Sequence, residues 1–191
     1  MLKIKDNTIW ITSDLHLCHD KDFIYKQRGF SSCEEHDKSL IKNINDLIAV
    51  DDYLFILGDV ILYDIDKGLE EFSKINCNNI VIIRGNHDSD NKIMLYQQLP
   101  QVISIVDSMY LRYGKYNFYL SHYPSLTGNC DKNIKSTLIN LCGHTHTKDK
   151  FENINLGPIY HCEVDAHNNQ MVLIDNIIID MKEELYEKLQ N

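Results

Sequence analysis

The sequence predicts an α/β fold, and three observations carry that reading. Short β-favouring apolar runs recur along the chain, and five of them end in residues that bind metals or move protons: TIWITSDLH, YLFILGD, IVIIRGNHD, NFYLSHYP and INLCGHTH. Amphipathic stretches separate the first three runs, the strand–helix–strand order of crossover units with parallel strands. From residue 102 onwards Val, Ile and Tyr dominate and a tight turn replaces the helix, so more antiparallel pairing is expected there. Polar side chains at the carboxyl end of a buried strand are the usual layout of an α/β site.

Residues 8–13 form the first strand, which delivers Asp14 and His16, and residues 15–33 have no clean period and read as a loop rimming the site. Ser32 and Glu35 fit a capping box, as do Ser31 and Glu34, and Leu40, Ile41, Ile44, Leu47 and Ile48 make a helical stripe that stops near Asp51 and Asp52. A strand follows over 53–57, then a loop, then a helix over 67–74 with Leu69, Phe72 and Ile75 on one side. The strand 80–83 leads into Gly85, and a short helix over 92–98 is closed by Pro100. Gly114 and Lys115 are the expected turn of a hairpin, and 138–141 is a further strand. The segment 154–174 reads as two or three small strands broken by Gly157-Pro158 and His167-Asn168-Asn169, before a terminal helix over 180–189.

With 191 residues the chain can build one full hydrophobic core, so a single domain over 1–191 is expected. A net charge of −9 without any basic block argues against a long nucleic-acid duplex as partner. A small phosphorylated molecule fits better, because bound cations reverse the field locally. Six cysteines without a CxxC pair suggest a reducing cytosol, and no signal peptide or membrane-spanning run is read. Oligomeric state is not legible.

Two divalent cations about 3.5–4 Å apart need a bridging carboxylate and further ligands on each side. Asp59 suits the bridge; Asp14, His16 and His146 would complete one metal, and Asn86, His122 and His144 the other. Asp14 with His16, and His144 with His146, are two apart, so each pair converges if its backbone is extended. Taken singly, Asp14, Asp59 and Asn86 could be turn or cap residues; it is the set that points to metal. Arg28 is a candidate phosphate clamp, with a solvated arginine as the bland alternative, while His19, His161 and His167 match no motif.

The set DLH at 14–16, GD at 58–59, GNHD at 85–88, SH at 121–122 and GHTH at 143–146 resembles the calcineurin-like metallophosphoesterase family. RGFSSCEEHDKSLIKNIND at 28–46 and SHYP at 121–124 are similar to a small bacterial and phage branch of predicted phosphoesterases. Members of that branch usually have RPF where this chain has Arg28-Gly29-Phe30, and Arg-Pro where it has Gln170-Met171. The resemblance implies a four-layer α/β/β/α sandwich with mixed β-sheets around a dinuclear centre. It also implies that His87 acts near the leaving group and that Asp88 orients it.

The expected reaction is hydrolysis of a phosphodiester, nucleotide-like among the choices, by hydroxide held between the metals, with His87 protonating the leaving oxygen. Mn²⁺ or Fe suits the mixed Asp, His and Asn donors best, and Zn²⁺ or Ni²⁺ is compatible. A phosphomonoesterase or protein phosphatase with the same centre is the enzymatic alternative. A non-catalytic metal-binding interaction scaffold is the other.

Overall fold

The computed structural model describes residues 8–128, 133–152 and 157–190. The first sheet contains β1 (Ile9–Thr12), β2 (Tyr53–Ile56), β3 (Asn79–Ile83), β4 (Val102–Val106) and β10 (Val172–Leu173), in the order β10-β1-β2-β3-β4. Its first four strands are parallel, with Ile9 opposite Tyr53 and Leu54 opposite Ile80, whereas β10 runs antiparallel to β1. The crossovers carry α2 (Cys33–Leu47), α3 (Ile65–Phe72) and α4 (Asp90–Tyr96). Ser32 Oγ accepts from Glu35 N as expected of the cap, while the Glu35 carboxylate reaches back one residue further, to Ser31 N.

The second sheet is ordered β5-β6-β7-β9-β8, from β5 (Ser108–Tyr113), β6 (Tyr116–Ser121), β7 (Leu138–Cys142), β9 (Ile159–His161) and β8 (Phe151–Glu152). β5 and β6 form the expected hairpin, with Gly114 at φ +56 in its two-residue loop. Beyond that hairpin the pairing is mixed, since β6–β7 and β7–β9 are parallel whereas β8–β9 and β10–β1 are antiparallel. Those parallel pairs place His122, His144 and the chain after β9 at one edge.

Both faces of the first sheet are buried, which is why its strands read as continuous apolar runs. Ile9, Ile11, Phe55, Leu57, Val81 and Ile83 face Phe118, Leu120, Ile139, Leu141 and Tyr160 of the second sheet. Their alternates Leu54, Ile56, Ile80 and Ile82 pack with Leu40, Ile41 and Ile44 of α2, Phe72 of α3 and Tyr96 of α4. The last helix, α5 (Ile174–Gln190), starts six residues before its expected start at Asp180. Ile174, Ile177, Ile178 and Met181 form its buried stripe, so Ile174, expected to end the strand segment, opens the helix instead. The expected strand start at Ile154 lies outside the described residues. This α/β architecture with two mixed sheets agrees with the sandwich the sequence led us to expect. No helix among the described residues is long and apolar enough to cross a membrane.

The expected rim loop 15–33 is part inner wall and part exposed rim, with 15–19 buried and 20–23 exposed. It contains a short helix, α1 (Asp22–Tyr25), and Leu15, Leu17 and Ile24 are buried. The backbone of Asp14, His16 and Leu17 donates to Gly58 O, Asp59 O and Val60 O at 2.9–3.0 Å, prolonging the β1–β2 pairing past the strands.

Candidate metal centre

The carboxyl ends of β1, β2 and β3 bring Asp14, Asp59 and Asn86 to one edge, and those of β6 and β7 bring His122, His144 and His146 against it. The expected extended backbone is not found at the paired candidates. Asp14, His16, Asp59, His144 and His146 all have positive φ, from +50 to +78. For a non-glycine residue this left-handed region is strained, and it persists where surroundings over-determine it. Here the ladder of bonds to 58–60 holds Asp14 and His16, and Asp14 Oδ2 accepts from His144 N at 2.9 Å.

Asp59 Oδ2 lies 3.6 Å from both His16 Nε2 and His122 Nε2, so one carboxylate oxygen stands between the two expected groups. On one side Asp14 Oδ1 is 3.6 Å from His16 Nε2 and 3.7 Å from His146 Nε2. On the other, Asn86 Oδ1 is 2.8 Å from His122 Nε2 and 2.9 Å from His144 Nδ1. Metal bonds of about 2.1 Å put neighbouring donors roughly 3–3.5 Å apart, a spacing close to these distances. Two triads, Asp14–His16–His146 and Asp14–Asp59–His122, have donors within 4.8 Å of one another. Asp14, His16, Asp59 and His122 are buried, whereas Asn86, His87 and His144 are exposed and leave the site open on one side.

The electrostatics suit cations. Burial disfavours charge on Asp14, but hydrogen bonding to His16 and the fields of His16, His146 and His122 outweigh it and set its carboxyl at about 2. Burial brings the His16 imidazole down to about 4, so it is neutral and able to ligate at pH 7. Asp59 is pushed up by burial and by the carboxylates of Asp14 and Asp88, against the pull of His122. Buried and crowded by like charge, it gains from a cation alongside. Asp14 Oδ1 and His16 Nε2 are buried without a hydrogen-bond partner, as free ligand atoms would be. The donor set thus fits divalent metal.

Three side chains that matched no motif support the ligands. His19 is buried and its Nδ1 sits 2.9 Å from His16 Nδ1. One proton serves that pair. With His16 Nε2 kept free for a metal, His16 Nδ1 donates and His19 Nδ1 accepts, which fixes the ligand's tautomer. Asp165 Oδ2 is 2.9 Å from His146 Nδ1 and pairs with Arg28. Burial opposes its charge, yet its bonds to His146 and Arg28 hold it well below the carboxylate range. Glu163 Oε1 accepts from Thr145 Oγ1 at 2.8 Å and Thr147 N at 3.3 Å, which steadies the GHTH loop. A usable signal existed: IYHCEVD is another strand-like run ending in acids.

Two expected roles are corrected. Arg28 is buried and its guanidinium is fully committed: Nε and Nη2 to Asp165, Nη2 also to Asp14 O, and Nη1 to Leu15 O and His36 Nε2. It braces the ligand loops and has no donor left for a phosphate. Gly29 beside it stands at φ +89, which is closed to proline and accounts locally for RGF in place of RPF. Asp88, 1% exposed, does not hold the His87 ring. Its carboxylate accepts from Asp59 N, Val60 N, Gly85 N and Tyr96 Oη, tying the ends of β2 and β3 together.

The His16–His19 pairing has a measurable consequence. His19→Phe keeps a ring in place but removes the acceptor, so divalent-metal affinity is expected to fall about 10–100-fold. Calorimetric titration with Mn²⁺ measures this, and an unchanged affinity would show that the His16 tautomer needs no such partner.

Comparison with known proteins agrees with this arrangement. The chain is 31% identical over 176 residues, 89% of each sequence, to an uncharacterised protein, MJ1445, of Methanocaldococcus jannaschii. Its fold is similar to that of a protein of unknown function, AQ665, from Aquifex aeolicus. That match has a TM-score of 0.67 and 17% identity, and covers 90% of this chain and 98% of the other. It is also similar to Yfce, a phosphoesterase from E. coli, with a TM-score of 0.50, 19% identity and coverage of 82% and 78%. Residues 7–161, which contain every expected ligand, match the calcineurin-like phosphoesterase family. The chain therefore belongs to the calcineurin-like phosphoesterases, hydrolases of phosphoric esters.

Proposed function

We propose that the protein hydrolyses a phosphodiester at a dinuclear centre. The observation that carries this is Asp59 Oδ2, 3.6 Å from a nitrogen of each group, beside ligand atoms of Asp14 and His16 that bond to nothing else. Asp14, His16, Asp59 and His146 would hold one cation, and Asp59, Asn86, His122 and His144 the other. Mn²⁺ or Fe is favoured by the mixed oxygen and nitrogen donors, with Zn²⁺ or Ni²⁺ compatible. Such cations supply an activated water and positive charge for the phosphoryl oxygens.

We assign to His87 the proton for the leaving oxygen. Its side chain is 48% exposed on the open side, with Nε2 4.0 Å from Asp59 Oδ2. Its backbone is fixed: His87 N donates to Asp59 Oδ1 at 2.9 Å, and Lys92 Nζ donates to His87 O at 2.9 Å.

A diester is favoured over a monoester by the cations around the site. Arg28 is committed to Asp165 and to carbonyls, Lys92 donates to Ile61 O and His87 O, and Arg84 pairs with Asp90 and Asp88 O. Beyond the metals, these side chains offer little to a dianionic monoester, whereas a diester carries one charge fewer. The motifs around Arg28 and Tyr123 are what support the narrower bacterial and phage branch. Protein loaded with Mn²⁺ is expected to hydrolyse bis-p-nitrophenyl phosphate faster than p-nitrophenyl phosphate and to lose both activities to a chelator. A preference for the monoester would favour a phosphomonoesterase, and no turnover with Mn²⁺, Fe²⁺, Zn²⁺ or Ni²⁺ would overturn the hydrolase.

A further inference from the structure

We propose that the groove beside Asn86 and His122 is a subsite for the nucleoside arm of the substrate, an inference that rests on the phosphodiesterase reading above. The groove measures about 620 Å³ and leads from these two ligands to the corner where β4 passes into β5. That is within the roughly 300–1,000 Å³ of small-molecule sites. Arg84, Asp107, Ser108, Tyr119, Tyr123 and Ser125 line it beyond the ligands.

Tyr123 gives the groove its chemistry. Its ring lies edge-on to His122 and His144, with centroids 5.2 and 4.7 Å apart. Its carbonyl accepts from Ser121 Oγ at 2.7 Å and Ser125 Oγ at 3.0 Å, so the backbone beneath the ring is pinned. The side chain is nevertheless 52% exposed. A large aromatic ring held in place but left open beside a catalytic centre is a stacking surface, and every nucleobase presents a π-face to one.

Charge selects against other arms. Arg84 Nη2 is 2.7 Å from Asp90 Oδ1, and Asp107 adds a carboxylate to the wall, so the groove has no spare positive charge for a second phosphate. Its serine and tyrosine side chains suit sugar hydroxyls rather than an acyl chain. A neutral, hydroxylated arm that ends in a flat ring satisfies all of these features.

Calorimetry on the Mn²⁺-loaded protein tests the subsite with thymidine 5′-monophosphate and methyl phosphate, which share a phosphate and differ in the nucleoside. The nucleotide is expected to bind at least about tenfold more tightly, in keeping with one base stacked on an aromatic ring. Tyr123→Ala is expected to bring the ratio of the two affinities to about one, and Ser108→Trp, which fills the groove from an exposed position, to do the same. Equal affinities in the unmodified protein, or a ratio that survives both substitutions, would overturn the subsite. Hydrolysis of bis-p-nitrophenyl phosphate by the same preparation keeps the two readings apart. Turnover without nucleotide selectivity removes the subsite alone, and selective binding without turnover removes the phosphodiesterase alone.

Discussion

A His87→Gln protein is expected to keep its metals and its melting temperature while losing about 10²–10⁴ of its kcat on an alkyl phosphodiester. The imidazole is 48% exposed and makes no bond that holds the fold together, since its backbone groups do the anchoring to Asp59 and Lys92. Removing the ring therefore leaves the site's frame in place. What it removes is the proposed proton donor, an imidazole on the open side whose Nε2 is 4.0 Å from Asp59 Oδ2. An alkoxide is a poor leaving group and needs that proton, whereas p-nitrophenolate leaves as a stable anion. The loss should accordingly be steep for thymidylyl-thymidine and shallow for bis-p-nitrophenyl phosphate. Equal losses on the two esters, at unchanged metal content, would assign His87 to binding rather than to proton transfer.

That the candidate ligands gather at one place was legible because all of them follow the ends of five apolar runs, and a run and its end are local properties of the sequence. Their conformation was not. Spacing by two led to Asp14 beside His16, which the structure brings together, and to His144 beside His146, which it sends to Asn86 and to Asp14 respectively; the extended backbone it assumed is adopted by none of the four. Left-handed φ at these positions comes from contacts across the chain, such as Asp14 Oδ2 with His144 N, 130 residues apart. The same holds for Arg28. As an isolated arginine in a loop it looked available, and only its pairing with Asp165, 137 residues away, shows that it is not. Asp88 likewise could be recognised as part of GNHD, but not as the acceptor that staples β2 to β3. The parallel β6–β7–β9 pairing and the early start of α5 depend on what buries those residues, which no window of the sequence contains.

Gly143→Ala is expected to cost the protein both stability and metal binding. Gly143 is not among the positive-φ glycines, so its backbone is open to alanine and the effect is one of space alone. A Cβ there would stand 2.0 Å from Ser13 Oγ and 2.1 Å from Asp14 Oδ2. Neither neighbour can yield cheaply. Ser13 Oγ is buried and donates to Leu57 O at 2.8 Å, while Asp14 Oδ2 accepts from His144 N at 2.9 Å. The methyl group must therefore push the GHTH loop off the end of β1, carrying His144 and His146 away from Asp14 and Asp59. Overpacking of a tight site costs about 1–3 kcal/mol. For a chain of this size that corresponds to a fall in Tm of roughly 5–10 °C at the upper end of the range. Catalysis should suffer more than folding, because a displacement of about 1 Å can cost 10²-fold or more in rate. Thermal unfolding, metal analysis and turnover of bis-p-nitrophenyl phosphate on one preparation give the three readings together. A variant with unchanged Tm and full metal content would mean that the two sheets do not close on the centre as tightly as the approach of Gly143 to Asp14 requires.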